Sequence, residues 1–482
     1  MQRFLSLKFL IMAGLIFGFL VCFMFMRGIV HERQQYSQNV MAEIGRDSVR
    51  PQTIMSPFIL VPVSEQSFCL AGQPTETAPT PNSTTASTAP KSLPCVTHSQ
   101  VVLTPNQSKW THNIQVSDQK YARGVYRATS YTDQIQLSAD FIPSDALLKP
   151  KAGQTIHWEQ AQMLLPISDL RGLYRQPVLT VGTEKLLFEI STDGDSALFN
   201  QPYSQVNIGL RAKEPLNIQL DLALDGLQQL AIQPLGKQTQ MSMQADWPHP
   251  QFGGEALPQR KNILADRFSA EWQNSYLAIH NTRLLNSCIQ NQHAQACQQL
   301  TSSTMSGAEA AYAASDTATG QLQAFQVSFI DPINIYSLTD RTLKYAALFL
   351  VLIFGVFFLF EVLKDLRVHP IQYALVGAAQ AVFYLLLLSF SEQFAFAWAY
   401  LGSSVACVLL ITWYVSYVLR GVRRALGLGV ILASLYAALY VILQSQQHTL
   451  ILGSVLVFAV ITLVMYLTRH IDWYQLGSKS HD

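Results

Sequence analysis

Apolar residues are distributed along this chain in two rhythms. Near the start, Phe9–Met26 is one uncharged apolar run. Five more follow one another in the C-terminal third, at approximately Leu343–Leu363, Ile371–Phe390, Phe394–Leu419, Ala425–Leu443 and Thr449–Leu467. Crossing the hydrocarbon core takes roughly 20 mostly apolar residues. The five late runs are separated by loops too short for ordinary soluble core helices. Between the first and second runs the rhythm changes to period two. Every second residue is apolar in Gln134–Phe141, and Leu216–Leu222 alternates as cleanly. In Gln238–Gln244 the apolar face is Met241 and Met243, with Thr239 in line. Period two with one apolar face predicts antiparallel sheet covered on one side. No internal repeat is visible.

The pattern predicts an α+β membrane protein with six transmembrane helices, one N-terminal and five C-terminal, and a large β-rich periplasmic domain. The boundaries fall at 1–8 for a cytoplasmic N-terminus, 9–26 for the first span and 27–341 for the external domain. The five-helix bundle occupies 342–468, and a cytoplasmic tail covers 469–482. The first run has the basic start of a signal peptide, in Arg3 and Lys8. It is long for such a segment, however, and no small-x-small cleavage site follows it, so an uncleaved anchor is the expectation. Orientation comes from the short loops. Lys364-Asp365-Leu366-Arg367, Arg420-Gly421-Val422-Arg423-Arg424 and Arg469 are basic, whereas Ser391-Glu392-Gln393 and Gln444–His448 contain no Lys or Arg. Cytoplasmic loops carry the excess of Lys and Arg, so both termini are expected inside and 27–341 outside. Arg27, Arg33, Arg341 and Lys344 then lie on the wrong side, beside a long translocated segment that crosses largely regardless of charge.

Composition agrees with a life in lipid. Of 482 residues 49% are hydrophobic and only 13% charged, against about a quarter charged in soluble proteins. A net charge of +1 leaves no electrostatic footprint for nucleic acid. Cys22 and Cys407 lie inside apolar runs, while Cys69, Cys95, Cys288 and Cys297 fall in the external segment. An even number there suggests disulfides. Three pairings are open, with four free thiols as the bland alternative. The local pairing Cys69–Cys95 with Cys288–Cys297 is preferred because each pair brackets a polar excursion. Residues 71–94, built mostly of Thr, Pro, Ser and Ala, cannot bury a core and are expected to form a disordered loop. Thr301–Gly320 is a second loose stretch.

The common catalytic signatures are missing: no Gly-rich phosphate loop, no His-Glu-x-x-His, no Gly-x-Ser-x-Gly and no Cys-x-x-Cys. Four external clusters remain. Ser168–Gly172 offers Asp169 and Arg171 as a polar pair for a ligand; the plainer reading is a strand end and turn held by their ion pair. Trp247–Gly254 packs aromatics among Pro and Gly, and His249 there is a candidate for metal or a proton, or simply a structural residue beside Trp247. Arg123–Tyr126 and Asp331–Tyr336 read as structural, the latter leading straight into the second span. Inside the apolar runs Glu361 is the notable charge. It precedes Lys364 by three positions, a spacing at which the two can pair at the cytoplasmic boundary, with Lys snorkelling to the headgroups. On that reading the pair is exposed; the alternative is a proton or substrate relay.

Taken together these clusters resemble the CreD family of bacterial inner-membrane proteins. The resemblance rests on Arg27-Gly28 to Glu32-Arg33, Gln52 to Val63, Arg123 to Tyr126, Ser168 to Gly172 and Trp247 to Pro258. In the apolar third it continues through Asn334-Ile335-Tyr336, Lys344-Tyr345, Phe360-Glu361, His369–Tyr373 and Asp472-Trp473-Tyr474. The 69–95 excursion looks like an insertion. The resemblance implies a role in cell-envelope integrity, with an association to a two-component regulatory system and to envelope or β-lactam stress. It brings no catalytic residues. The expected function is therefore non-enzymatic, without cofactor or metal. Its partners are the lipid bilayer and an unknown envelope protein or cell-wall component, with no nucleic acid. The alternatives are a transporter or flippase using the helix bundle, and a periplasmic enzyme.

Overall fold

The computed structural model describes residues 2–70, 92–124, 126–191, 203–275, 277–290, 322–329, 335–363, 368–418, 421–444 and 449–469. The chain divides into two compact units: 1–40 with 332–482, and 41–331. The unit 41–331 is built on sheets and the other on helices.

An eight-stranded sheet forms the largest part of the sheet unit. Its order is Arg260–Ile263, Phe268–Ser275, Gln238–Ala245, Gln107–Arg123, Tyr126–Phe141, Leu216–Leu227, Val178–Val181 and Glu184–Leu187. All neighbours are antiparallel except Gln238–Ala245, which runs parallel to Gln107–Arg123. The period-two segments of the sequence lie in this sheet. Thr239, Met241 and Met243 are buried at 3%, 2% and 1% exposure, so the hydroxyl does sit in phase with the two methionines. Gln107–Arg123 and Tyr126–Phe141 form a long hairpin, turned at Gly124, whose φ of 63° is one that a side chain resists. In Leu216–Leu227 the alternation stops at Ala223, and the rest of the strand is buried on both faces.

Two smaller sheets complete the unit. A six-stranded sheet runs Glu189–Ile190, Ser204–Asn207, Gln162–Leu165, Phe58–Leu70 and Ser92–Leu103, with Gln154–Ile156 also paired to Phe58–Leu70. A four-stranded sheet runs Gln52–Met55, Gln229–Gln233, Phe325–Ser328 and Gln251–Gly253. All three sheets feed one core. Trp110, Ile135 and Leu137 meet Ile59, Met163 and Leu165, together with Ile54, Leu230 and Val327. Burying each large aliphatic side chain is worth roughly 1.5–3 kcal/mol. The long N-terminal helix is α1 (Gln2–Asp47), and two short helices, α2 (Asp145–Leu148) and α3 (Asn281–Gln290), lie in the connections between strands.

Two expectations for this segment need correction. The first helix, α1, does not give way to sheet after Met26 but runs from Gln2 to Asp47. It ends where Ser48 N and Oγ both bond the Ile44 carbonyl (2.9 and 2.6 Å), with Pro51 just beyond. The stretch expected as loop over 71–94 is strand from Ser92 on, because Phe68 pairs with Pro94, Cys69 with Leu93 and Leu70 with Ser92. The rest of that stretch, and Thr301–Gly320, lie outside the described residues.

The helical unit contains α4 (Ile335–Lys344), α5 (Ala346–Leu363), α6 (Pro370–Ser391), α7 (Phe396–Val418), α8 (Val422–Gln444) and α9 (Thr449–Thr468). Among the described residues four helices are long and apolar enough to cross a membrane: Leu10–Asp47, Pro370–Ser391, Phe396–Tyr417 and Val422–Gln444. A fifth arises if Leu338–Lys344 and Ala346–Phe358, bent by 46°, count as one span. The last apolar helical stretch, Ile451–Thr462, is shorter. Among the described residues this makes four to five candidate spans. Within this unit α1 packs on α6 at Gly377, where an added Cβ would come within 2.3 Å of the Phe19 ring. Phe23 meets Tyr384 edge-on at 5.4 Å.

Candidate functional site

Of the polar residues singled out by the sequence, Asp169, Arg171 and Glu361 lie at two helix ends. The first is the C-terminus of α1. Asp169 caps a short 3-10 turn, Leu170–Gly172, by accepting from the Arg171 amide at 3.1 Å. The same carboxylate accepts from Arg171 Nε at 2.9 Å, from Arg171 Nη2 at 2.7 Å and from the Arg50 amide at 3.1 Å. Arg171 then turns its Nη1 onto the Arg46 carbonyl (2.5 Å) and its Nη2 onto that of Gly45 (3.3 Å). Those carbonyls belong to the last turn of α1, which has no intrahelical donors left for them. A cation there also complements the helix dipole. Arg123 adds a second brace, donating to Glu43 at 2.7 Å and Asp47 at 2.8 Å.

The knot continues into the sheets. Gln52 Nε2 donates to the Asp169 carbonyl at 3.0 Å and the Asp225 carbonyl at 3.1 Å. Ser168 Oγ accepts from the Thr53 amide at 2.8 Å. The Asp225 carboxylate accepts from Thr132 Oγ1 at 2.6 Å and from Lys120, which also donates to the Tyr174 hydroxyl at 2.6 Å. Lys120 reaches inward because the hairpin register shifts between Ser117 and Tyr121, as bulges re-aim side chains. Burial pushes the Asp169 carboxyl up, but the Arg171 and Arg50 hydrogen bonds outweigh it and hold the group below its ordinary range. Hydrogen bonding to Asp169 raises the Arg171 guanidinium. Burial lowers Lys120, and its bonds to Asp225 and Tyr174 outweigh that and raise it. The Asp169 carboxylate and the Arg171 guanidinium both bond within the fold, while Arg50 Nε is buried without a hydrogen-bond partner among the described residues.

Trp247 and His249 form a separate feature. Trp247 Nε1 donates to the His249 carbonyl at 3.0 Å, and Trp247 packs partly against the core while His249 is exposed. Among the described residues no hydrogen bond or ion pair links this loop to Asp169 or Arg171. No group of three or more His, Cys, Asp or Glu suited to a metal occurs among the described residues.

One buried pair escaped the sequence reading. His112 Nδ1 lies 2.7 Å from Asp133 Oδ2, with both side chains at 0% exposure. Trp110 stacks on the imidazole at 5.8 Å. Trp110 Nε1, His112 Nε2 and Asp133 Oδ1 are buried without a hydrogen-bond partner. The signal was present: His112 is in phase with Trp110 and Ile114, and Asp133 with Ile135 and Leu137, so both occupy core-facing positions.

The second helix end is the junction of α5 and α6. His369 caps α6 by accepting from the Ile371 amide at 3.3 Å, Pro370 occupies the first turn, and Gln372 Oε1 accepts from the His369 amide at 3.1 Å. Such a reciprocal box satisfies orphan donors at a helix start. Glu361 is drawn into the same junction. It accepts from the Val368 amide at 3.2 Å and from the Tyr373 hydroxyl at 2.9 Å. At 9% exposure it is buried rather than water-exposed, which corrects the expectation of an exposed surface pair. The reason is local: the chain returns at once into α6 and brings Tyr373 over the carboxylate. Lys364 lies outside the described residues, so the expected Glu361–Lys364 contact does too. Further along the bundle, Ser403 and Thr412 bury hydroxyls without a hydrogen-bond partner among the described residues. Of the basic residues on the wrong side by charge, Arg27 and Lys344 share Asp340, at 3.1 and 2.8 Å.

Cys95 and Cys288 are both disulfide-bonded. The side chain of Cys69 and the whole of Cys297 lie outside the described residues, so the pairing itself is not described. Cys22 and Cys407 are free.

Known proteins bear on the whole chain. A family model described as CreD, Inner membrane protein CreD, matches residues 4–474. The Inner membrane protein CreD of Escherichia coli (strain K12) is 28% identical over 465 residues, covering 96% of this chain and 92% of that protein. Among solved structures, an M1 zinc metallopeptidase from Deinococcus radiodurans matches 36% of this chain and 38% of its own, with 7% identity and a TM-score of 0.19. That likeness is too slight to carry any argument.

Proposed function

Because the chain belongs to the CreD family of inner membrane proteins, we propose that it is a non-enzymatic envelope protein whose sheet domain faces the periplasm and binds an envelope component or partner. The observation that carries this reading is the alternation of charge in the short loops. Lys364–Arg367 and Arg420–Arg424 are basic, and the loops between them and after them have no Lys or Arg. On the positive-inside rule this gives six spans, with both termini cytoplasmic and 27–341 outside. The helical unit anchors the domain in the bilayer, and its role is cell-envelope integrity or the response to envelope stress. Asp169 and Arg171 serve the fold in this reading, and the Trp247–His249 loop stays a candidate contact surface because His249 is exposed.

The local disulfides Cys69–Cys95 and Cys288–Cys297 belong to the same proposal, since an oxidising compartment maintains them. The strand register places Cys69 opposite Leu93 and Cys95 opposite Ser67, on the two strands of one hairpin. Reporter fusions after Lys364, Gln393, Arg424 and Gln447 should read in, out, in, out, and an inverted order would sink the topology. Crosslinking in living cells, followed by identification of the captured partners, tests the binding role. Capture of cytoplasmic partners by the 41–331 unit is the result that refutes it.

A further inference from the structure

The outward face of the eight-stranded sheet carries a cross-strand ladder of polar side chains, all uncharged but Lys109 and Asp140. One row runs Gln240, Lys109, Ser138, Gln219 and Thr180 over five adjacent strands. The row below runs Gln238, Gln107, Asp140 and Asn217. Neighbouring strands lie about 4.8 Å apart, so the five-strand row is about 19 Å long. The two rows line a hollow of about 490 Å³, within the size range of small-molecule sites. Its shape follows from side-chain length: short Ser138 and Thr180 alternate with the long Lys109 and Gln219 in the same row.

The chemistry of the hollow is specific. Gln107, Gln219, Gln238, Gln240 and Asn217 each offer two N–H donors and a carbonyl acceptor. Among the described residues their side chains are engaged in no hydrogen bond or ion pair. An amide with both functions free matches a hydroxyl, which also donates and accepts, and pairs twice with an acetamido group. The charged liners are Lys109 and Asp140, which cancel. Asp140 is moreover already occupied by the Gln107 amide at 2.8 Å and Asn106 Nδ2 at 3.2 Å. A polyanion finds one free cation there and a polycation no free carboxylate. An apolar ligand would strand the amides without partners.

We infer that this hollow is a groove for a neutral, N-acetylated glycan strand. The inference rests on the reading of the sheet domain as an envelope-binding module and supplies the chemistry of its ligand. The length of the ladder accommodates several sugar units side by side, and the sheet presents its amides at a fixed spacing with little to reorganise.

The test uses the full chain in detergent micelles, with purified peptidoglycan sacculi and the soluble β-1,4-linked tetramer of N-acetylglucosamine as probes. Wild type should sediment with sacculi, and the tetramer should compete. Ser138→Trp fills the hollow on an exposed strand position where an aromatic is well tolerated. Gln219→Ala combined with Gln240→Ala removes two amides with no change in charge. Both variants should lose at least tenfold in affinity while keeping the wild-type melting temperature. Unchanged binding by two folded variants overturns the groove. Sedimentation with sacculi that the tetramer cannot compete also overturns it, but leaves the envelope-binding reading intact on another surface. Absence of binding to sacculi and tetramer, with in-cell crosslinks to an envelope protein, again removes only the groove; absence of crosslinks as well removes both. A fall in particle mass in Ser138→Trp without glycan binding would assign the face to a second copy of the chain.

Discussion

Two carboxylates in this protein are equally buried and are handled differently. Asp169 in the sheet unit and Glu361 in the helical unit are each 9% exposed. Asp169 is met by the forked guanidinium of Arg171 and two backbone amides, and Arg171 passes on to the end carbonyls of α1. Glu361 meets the Val368 amide and the Tyr373 hydroxyl at the start of α6. Each acid fastens a helix end, Asp169 through the Arg171 guanidinium and Glu361 with a backbone amide and a tyrosine hydroxyl among its partners. The guanidinium of Arg171 is 46% exposed on its side chain, so water helps to solvate the charge pair. Glu361 lies at the end of the apolar helix α5, where burying a bare carboxylate would be costly without partners. Both acids thus join segments on separate elements, Asp169 by way of Arg171 to the end of α1 and Glu361 to the start of α6.

The largest effect should come from breaking the first arrangement. Asp169→Ala leaves the guanidinium and two amides without their acceptor. Removing one partner of a buried pair costs 3–5 kcal/mol, and the exposure of Arg171 puts this case near about 3 kcal/mol. Urea unfolding of the full chain, followed by tryptophan fluorescence of the sheet unit, measures it. The pH dependence has a definite sign. The folded carboxyl lies below its unfolded value of about 3.9. Its stabilisation is therefore complete above that value and is lost as pH falls through the folded one. Wild type should lose stability below about pH 4 more steeply than Asp169→Ala. Parallel acid profiles of the two proteins would remove Asp169 from the account.

Next in size is a comparison of glycines. At Gly172 an added Cβ would stand 2.4 Å from the Asp225 carbonyl and 2.6 Å from Gln52 Nε2. Gly172→Ala should cost about 2 kcal/mol, because the backbone atom it meets cannot swing aside. At Gly355 in α5 nothing lies within 4 Å. Gly355→Ala should be neutral or stabilise by up to about 1 kcal/mol through helix propensity. Equal effects at the two glycines would refute the contrast between a tight knot and an open helix surface.

How far the sequence discloses these features depends on how local their causes are. The strands around Gln134–Phe141 and Gln238–Gln244 are legible because period two is written in adjacent residues. The extension of α1 to Asp47 is not, since 27–47 is polar and carries little apolar rhythm; its end is fixed by Arg171 and Arg123, more than 75 positions away. The burial of Glu361 was missed for a similar reason. Its partner Tyr373 is twelve residues on, across a loop and on another helix, whereas Lys364 stood at a helical spacing that invites pairing. The His112–Asp133 pair was legible in principle, being two polar residues in phase with apolar neighbours. The amide ladder was not, because a row across five strands exists only once the register is known.

The smallest predicted effect tests the second arrangement. Glu361→Gln keeps an oxygen to accept from the Val368 amide and turns an NH2 towards the Tyr373 oxygen, which can accept as well as donate. What is lost is the extra strength of bonds to a charged acceptor, about 1 kcal/mol. Tyr373→Phe removes the donor and leaves the carboxylate one bond short, so it should cost somewhat more, about 2 kcal/mol. In the Glu361→Gln background Tyr373→Phe should cost less than alone, because only a neutral amide is then left unpaired. The coupling from the double-mutant cycle, read from thermal unfolding of the helical unit in micelles, should be about 1 kcal/mol. Strict additivity would mean that the 2.9 Å contact does not stabilise the junction. A large loss of envelope function in Glu361→Gln, at unchanged stability and expression, would instead show that the acid moves protons and does more than hold α5 to α6.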